Sequence, residues 1–123
     1  MTFRLTAAVL DSADPPALAR FYQRLLGWPI AAEDPTWVTL RPPDGGAGLS
    51  FQLEPDHVPP VWPASADAPQ MQAHLDLEVD DLAAATTTAL AAGARLAAVQ
   101  PQDDVRVLLD PAGHPFCLWV RAA

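Results

Sequence analysis

The sequence contains no lysine, no asparagine and a single cysteine, and it has no long apolar run. The lone Cys117 excludes an internal disulfide and any metal cluster held by several thiolates. All seven basic residues are arginines, against fifteen acidic residues, so the formal net charge is −8. Binding to nucleic acid or to an anionic membrane surface needs a basic surface, so we expect neither partner.

The chain also lacks a segment that resembles a targeting or membrane signal. Its apolar stretches are shorter than the ~18 residues of a membrane span, and acidic residues follow the first stretch at once, unlike in a signal peptide. A cytoplasmic location is therefore expected. With 123 residues, half of them apolar, the chain predicts a single domain (1–123) with a real core.

The order of predicted elements occurs twice along the chain. In the first half, the strand LTAAVLD leads into a helix with Asp14 as N-cap, Pro15 in the first turn and Gly27 as C-terminal stop. The strands TWVTLRPP (36–43) and GLSFQLEP (48–55) follow, joined by the turn PPDGGAG.

The second half repeats this order. The strand HLDLEV (74–79) precedes a helix capped by Asp80 or Asp81 and stopped by Gly93, and three further short strands follow. Asp14 and Asp81 are sixty-seven residues apart. We interpret the chain as two βαβββ modules, 1–55 and 73–123, joined by a Pro-rich connector, 56–72. The alternative is a pair of unrelated α+β segments with similar turns.

These segments resemble the vicinal oxygen chelate superfamily, which includes glyoxalase I, bleomycin-resistance proteins and extradiol dioxygenases. AVLDSADPPALARFYQRLLGW opens one half, HLDLEVDDL opens the other, and LLDPAGHPFCLW closes it in the manner of the glyoxalase-like subgroup. The resemblance implies an α+β fold with two tandem βαβββ modules, whose curved mixed sheets surround a cup. It does not specify a reaction, because the superfamily hosts isomerases, dioxygenases, lyases and binding proteins.

Strand alternation sorts the side chains of each predicted strand into two faces. Apolar rows, such as Leu49, Phe51 and Leu53, should pack against the helices. The opposite face should carry the polar and aromatic candidates of the three strands that open and close the modules: Ser50, Gln52, Glu54, His74, Asp76, Glu78, Cys117 and Trp119.

The resemblance implies a metal site with one ligand from the first and last strand of each module, usually His or Glu. By the repeat, these four positions correspond to Ala7, Gln52, His74 and Cys117. Alanine has no donor atom, the glutamine amide is weak, and the thiol does not suit an oxygen-rich site, so His74 alone is a strong ligand. We therefore expect no metal and no other cofactor.

A carboxylate from a neighbouring position is the alternative that would complete a metal site with His74. The candidates are Glu54, Asp76 and Glu78. Two residues along a strand span about 7 Å, so these carboxylates would have to converge on a different centre. Without a metal, His74 either lines the cup, hydrogen-bonded to Gln52 or Asp76, or contacts a bound molecule. Cys117 is either an inert buried thiol or a nucleophile paired with His74.

The expected function is metal-independent binding of an apolar or aromatic small molecule, as in drug-sequestering members of the superfamily. Trp119, Trp37 and Val9 would form the walls, and His74, Gln52 and Cys117 the polar contacts, with Ala7 nearby. No catalytic residue is assigned. The alternatives are a metal-dependent lyase, isomerase or dioxygenase and a module kept for dimerisation or partner binding. Exposed sheet edges favour a homodimer.

Overall fold

The βαβββ order predicted from the sequence is present twice in the computed structural model, which describes residues 1–121. One unit ends at His57 and a second begins at Val58. The first comprises β1 (Ala7–Ser12), α1 (Pro15–Leu26), β2 (Ile30–Asp34), β3 (Trp37–Leu40) and β4 (Gly48–Leu53). The second comprises β5 (Leu75–Glu78), α2 (Leu82–Ala92), β6 (Arg95–Leu96), β7 (Val105–Leu109) and β8 (Pro115–Trp119). The predicted α+β fold class is confirmed.

Strand β2 is the element that the sequence pattern did not locate. Its sequence, IAAED, has one large apolar residue and no alternation to mark it. Pairing with β3 defines it instead, with a register shift between Ile30 and Ala32. Tertiary pairing here overrides a weak local preference.

Both helices begin and end where the sequence predicted. Asp14 accepts a hydrogen bond from the backbone N–H of Ala17 at 3.2 Å, and Asp81 accepts one from Ala84 at 3.0 Å. Gly27 closes α1 in the left-handed conformation, with φ of 71°. These caps satisfy backbone groups that helix ends leave unpaired. Neither helix is long and apolar enough to cross a membrane.

The two sheets share one topology, with strand orders β1-β4-β3-β2 and β5-β8-β7-β6. The first-listed pair of each sheet, β1–β4 and β5–β8, is parallel, and the other pairs are antiparallel. Asp11 pairs with Gln52, and Asp76 pairs with Cys117, forty-one residues apart in both cases. The two parallel ladders therefore have the same register.

Each helix packs on one face of its own sheet, as the apolar rows predicted. In the first unit, Tyr22 of α1 stacks on Phe51 of β4 with ring centroids 5.8 Å apart. In the second, Leu108, Phe116 and Leu118 are buried. We call the opposite side of each sheet its helix-distal face. It carries Val9, Asp11, Trp37, Thr39, Ser50 and Gln52 in the first sheet and Asp76, Glu78, Val107, Cys117 and Trp119 in the second.

Candidate functional site

The chemical cluster of the second unit lies where β5 and β8 run side by side. Asp76 and Cys117 are direct partners in the parallel ladder, and His74 precedes β5. The Nε2 atom of His74 lies 3.1 Å from Oδ1 of Asp76. One ligand-type atom from each of the three residues lies within 4.8 Å of the other two. Three different donor types, imidazole, carboxylate and thiol, thus meet at one place on the helix-distal face.

The side chains of Asp76 and His74 meet although their backbone positions are well separated along the strand direction. The two residues are two steps apart on the chain, about 7 Å along an ideal strand. Their side chains nevertheless bend toward each other and make direct contact. Asp76 is therefore one of the two hydrogen-bond partners expected for His74, and whether this pair belongs to a metal centre stays a prediction.

The other two carboxylates proposed as partners of His74 are engaged elsewhere. Glu78 forms an ion pair with Arg121, whose Nη2 lies 2.8 Å from Oε2. Glu54 belongs to the first unit and accepts a hydrogen bond from the backbone N–H of Asp56 at 3.1 Å. Among residues 1–121, the only cluster of potential metal-binding acidic, histidine and cysteine side chains is His74, Asp76 and Cys117.

Cys117 is held in its thiol form by its surroundings. Burial raises the pKa of this thiol, and the negative charge of Asp76 and a hydrogen bond to the same carboxylate raise it further. A nucleophilic cysteine needs the thiolate, which a basic neighbour favours and an adjacent carboxylate opposes. Asp76 contacts both His74 and Cys117, so the arrangement disfavours a nucleophilic Cys117–His74 pair.

Gln52 of the first unit occupies the ladder position that Cys117 has in the second. Its Nε2 donates a hydrogen bond to Oδ1 of Asp11 at 3.0 Å. By strand pairing, the counterpart of His74 is Val9, because each lies two residues before the aspartate of its ladder. The repeat had pointed to Ala7 because it was aligned on the helix caps, and the N-cap aspartate follows the ladder aspartate by three residues in the first unit but by five in the second. Neither Val9 nor Ala7 offers a donor atom.

Exposed apolar side chains accompany these polar groups on the first sheet. Val9 is 46% exposed and Trp37 is 37% exposed, although both belong to paired strands. The indole N–H of Trp37 donates to Oγ1 of Thr39 at 3.0 Å. In the second unit, Trp119 lies on the same face as Cys117, as alternation predicted, and the Arg121 guanidinium carbon is 5.9 Å from its ring centroid.

A cavity of about 420 Å³ opens on the first unit where β1 and β4 begin and β3 ends. Ala7, Thr39 and Ser50 line it from the three strands, and Arg4, Arg41 and Gly46 line it from flanking segments. Of the residues proposed from sequence, only Ala7 lines this cavity. The two arginines were not proposed, because no motif surrounds them and only the fold brings them together.

Two four-stranded mixed sheets, each with one helix, form the fold of a glyoxalase-type protein. The model of the glyoxalase-like domain family matches residues 7–119, so the chain belongs to this family, and the resemblance inferred from its sequence is confirmed. No match was found among curated proteins.

Solved structures show the same fold. A glyoxalase/bleomycin resistance protein/dioxygenase family enzyme from Burkholderia phytofirmans is similar at a TM-score of 0.73 and 20% identity, over 96% of this chain and 98% of the other. A glyoxalase-related enzyme from Fulvimarina pelagi gives 0.70 and 20%, over 98% and 89%. A bleomycin-binding protein, solved in complex with bleomycin, gives 0.61 and 26%, over 98% and 100%.

Proposed function

We propose that this protein binds an apolar or aromatic small molecule without metal and without catalysis, in a sequestering role. The observation that carries the proposal is the exposure of Val9 and Trp37 on the helix-distal face of a well-paired sheet. Apolar groups displayed beside polar anchors are typical of small-molecule sites, and a ligand that covers them gains about 25 cal/mol per Å² buried. A cavity of about 420 Å³ on the same face falls within the usual range for such ligands.

The polar groups of both sheets support binding better than catalysis. Gln52 is held by Asp11, and Cys117 is held as a thiol beside Asp76. Such paired groups accept or donate hydrogen bonds to a ligand but lack an activated nucleophile. His74 and Trp119, which the sequence also proposed as ligand contacts, belong to the second unit. The likeness to a bleomycin-binding protein, solved with its ligand, agrees with this function.

Tryptophan fluorescence tests the proposal directly. Titration with neutral aromatic compounds and with bleomycin should quench the emission and raise the melting temperature of the wild-type protein. Trp37→Phe should remove most of the quenching, whereas the matched variant Trp62→Phe, in the connector, should retain it. If a broad aromatic library changes neither emission nor melting temperature, the proposal is refuted.

A metal-dependent enzyme of the glyoxalase type, a lyase, isomerase or dioxygenase, is the second candidate. The cluster of His74, Asp76 and Cys117 favours it, because these donors are of the kinds that bind zinc. A bound divalent ion would polarise a substrate oxygen as a Lewis acid. The chain would supply the three ligands, and Cys117 would have to release the thiol proton that Asp76 now accepts.

Elemental analysis separates the two candidates. Protein purified without chelators should contain no stoichiometric divalent ion if the first proposal is correct. One equivalent of metal that is lost in His74→Ala, but kept in the control His57→Ala, would establish the second candidate instead.

The family fold also supports a homodimer as the assembled form, which we propose on the basis of its short, exposed sheet edges. Light scattering coupled to gel filtration measures the mass in solution. A mass near twice that of the 13.1 kDa chain is expected, and a monomeric mass at micromolar concentration would contradict this proposal.

A further inference from the structure

The cavity of the first unit is positively charged, in a chain whose net charge is −8. Its ionisable lining residues are Arg4, which precedes β1, and Arg41, which follows β3; no acidic side chain lines it. Among the described residues, neither guanidinium has a hydrogen-bond or ion-pair partner. By contrast, Arg20 and Arg121 are each paired with a glutamate. Two unneutralised cations therefore border a single recess.

The floor of the cavity adds a hydroxyl donor. Oγ1 of Thr39 and Oγ of Ser50 lie 3.3 Å apart and share one hydrogen bond, and the Trp37 indole donates to Thr39 as well. Each hydroxyl has one O–H group, and the bond between them uses only one of the two. Whichever residue donates, one O–H remains to meet an acceptor. Ser50 is only 3% exposed, so this donor is fixed in a buried wall.

Glycine shapes the remaining wall and keeps the recess open. Gly48 begins β4, and its N–H donates to the carbonyl of Thr6 at 2.9 Å, which extends the parallel pairing beyond β1. A side chain at Gly48 would collide with the carbonyl oxygen of Leu40. Thr6 and Gly48 thereby hold the segment that carries Arg4 close to the end of β3.

We propose that this cavity binds the oxyanion, carboxylate or phosphate, of an organic ligand. Arg4 and Arg41 supply charge-assisted hydrogen bonds, and the Thr39–Ser50 pair supplies the spare O–H. The inference deepens the proposed function, on which it rests for the apolar body of the ligand. Acidic residues more than about 8 Å away oppose an anion only weakly, because they are screened at physiological ionic strength. Asp44 lies between Arg41 and Gly46 in the sequence but does not line the cavity.

Matched probes test the anion site independently of the apolar surface. Benzoate and benzamide share a ring and differ in charge, and inorganic phosphate has no ring at all. Binding is measured by calorimetry and by the NMR chemical shifts of the backbone amides of Thr39, Gly48 and Ser50. Benzoate should bind about tenfold more tightly than benzamide, the advantage of a charge-assisted hydrogen bond.

Charge-matched variants locate the effect. Arg41→Gln and Arg4→Gln should each remove most of the benzoate advantage, whereas Arg24→Gln, an exposed arginine at the end of α1, changes the net charge equally and should preserve it. The advantage should also be constant from pH 6 to 9, because arginine stays charged throughout. A pH-dependent advantage, or one equal in all three variants, would overturn the proposal.

The remaining outcomes separate this inference from the proposed function. Shifts at Thr39 and Ser50 with phosphate but not with benzoate would support the site and assign it to phosphate compounds. Equal binding of benzoate and benzamide would overturn the anion site and leave the aromatic binding function standing. If neither benzoate nor phosphate binds at millimolar concentration, the anion site is refuted, whatever neutral aromatic compounds do.

Discussion

Asp110 ties together the turn that leads into β8, and its replacement should be costly. Its side chain is 1% exposed. Oδ1 accepts hydrogen bonds from the backbone N–H groups of Ala112 and His114, each at 2.9 Å. Its own backbone N–H donates to the carbonyl of His114, and its carbonyl accepts from Gly113 at 2.8 Å. The carboxylate thus accepts hydrogen bonds from two backbone N–H groups of the turn and ties Ala112 and His114 to Asp110.

Asp110→Ala removes the acceptor from both N–H groups at once. An unsatisfied buried donor costs about 1–3 kcal/mol, and partial relaxation toward water brings the expected loss to about 2–4 kcal/mol. In a chain of this length, each kcal/mol of destabilisation lowers the melting temperature by about 4 °C, so the melting temperature should fall by about 10 °C. Asp110→Asn keeps one oxygen as an acceptor but loses the charge and replaces the second oxygen by an NH2 donor, so we expect a smaller loss, about 1–2 kcal/mol.

Urea denaturation followed by circular dichroism measures these losses. Asp67→Ala, in the exposed connector, is the control and should be neutral. The turn joins β7 to β8 and sets the register that places Cys117 opposite Val107, so Asp110→Ala should also loosen β8 and make the Cys117 thiol easier to alkylate. A free energy of unfolding within about 0.5 kcal/mol of wild type would show that the two hydrogen bonds do not hold this turn.

Three further predictions concern single side chains. Burial and the charge of Asp76 raise the pKa of Cys117, so iodoacetamide should react slowly at pH 8, and Asp76→Asn should accelerate it. Because the pKa of Cys117 is higher in the folded protein, the neutral thiol contributes to stability. The contribution is complete below the ordinary thiol pKa of 9.0 and is lost as the pH rises through the raised value. Gly48→Ala should cost about 1–3 kcal/mol in urea denaturation, because the new methyl group meets a carbonyl of β3. Hydrogen bonds from Thr36 lower the pKa of Asp34 below 3.8, so this stabilisation is lost only as the pH falls through the lowered value. Thr36→Val should raise that pKa in an NMR titration.

Each of these predictions has a control that isolates its cause. Cys117→Ser should flatten the alkaline loss of stability, and an unchanged slope would assign that loss to other groups. Gly46→Ala meets open space at a φ of 89°, so its loss measures backbone strain alone, whereas Gly48→Ala measures the collision. Unchanged stability in Gly48→Ala would show that the Leu40 carbonyl moves aside without cost. If Thr36→Val leaves the Asp34 titration unchanged, the hydroxyl does not cause its shift.

The fold could be predicted because its signals are local. Two capping aspartates, two stop glycines and alternating strands fix the element order and the face that each side chain occupies. The candidate site was predicted only in part, because alternation names a face but not a partner. The contact between His74 and Asp76 depends on rotamers, and the meeting of Arg4 with Arg41 depends on which strands pair. Strand alternation offered Asp76 as one of two partners for His74, whereas the spacing of residues gave no sign that the two arginines line one cavity.

The equal register of the two parallel ladders explains why one scaffold carries two kinds of chemistry. In each unit an aspartate of the first strand faces a side chain of the last. Asp11 accepts a hydrogen bond from the Gln52 amide, and Asp76 accepts one from the Cys117 thiol. Two residues earlier stands Val9 in one unit and His74 in the other. Since the backbones correspond, this difference lies in side chains alone. The first sheet presents an apolar surface beside two arginines, and the second presents an imidazole–carboxylate–thiol cluster. The proposed binding of a small molecule and the alternative proposal of a metal site therefore make separate predictions, which mutations in one unit at a time can test.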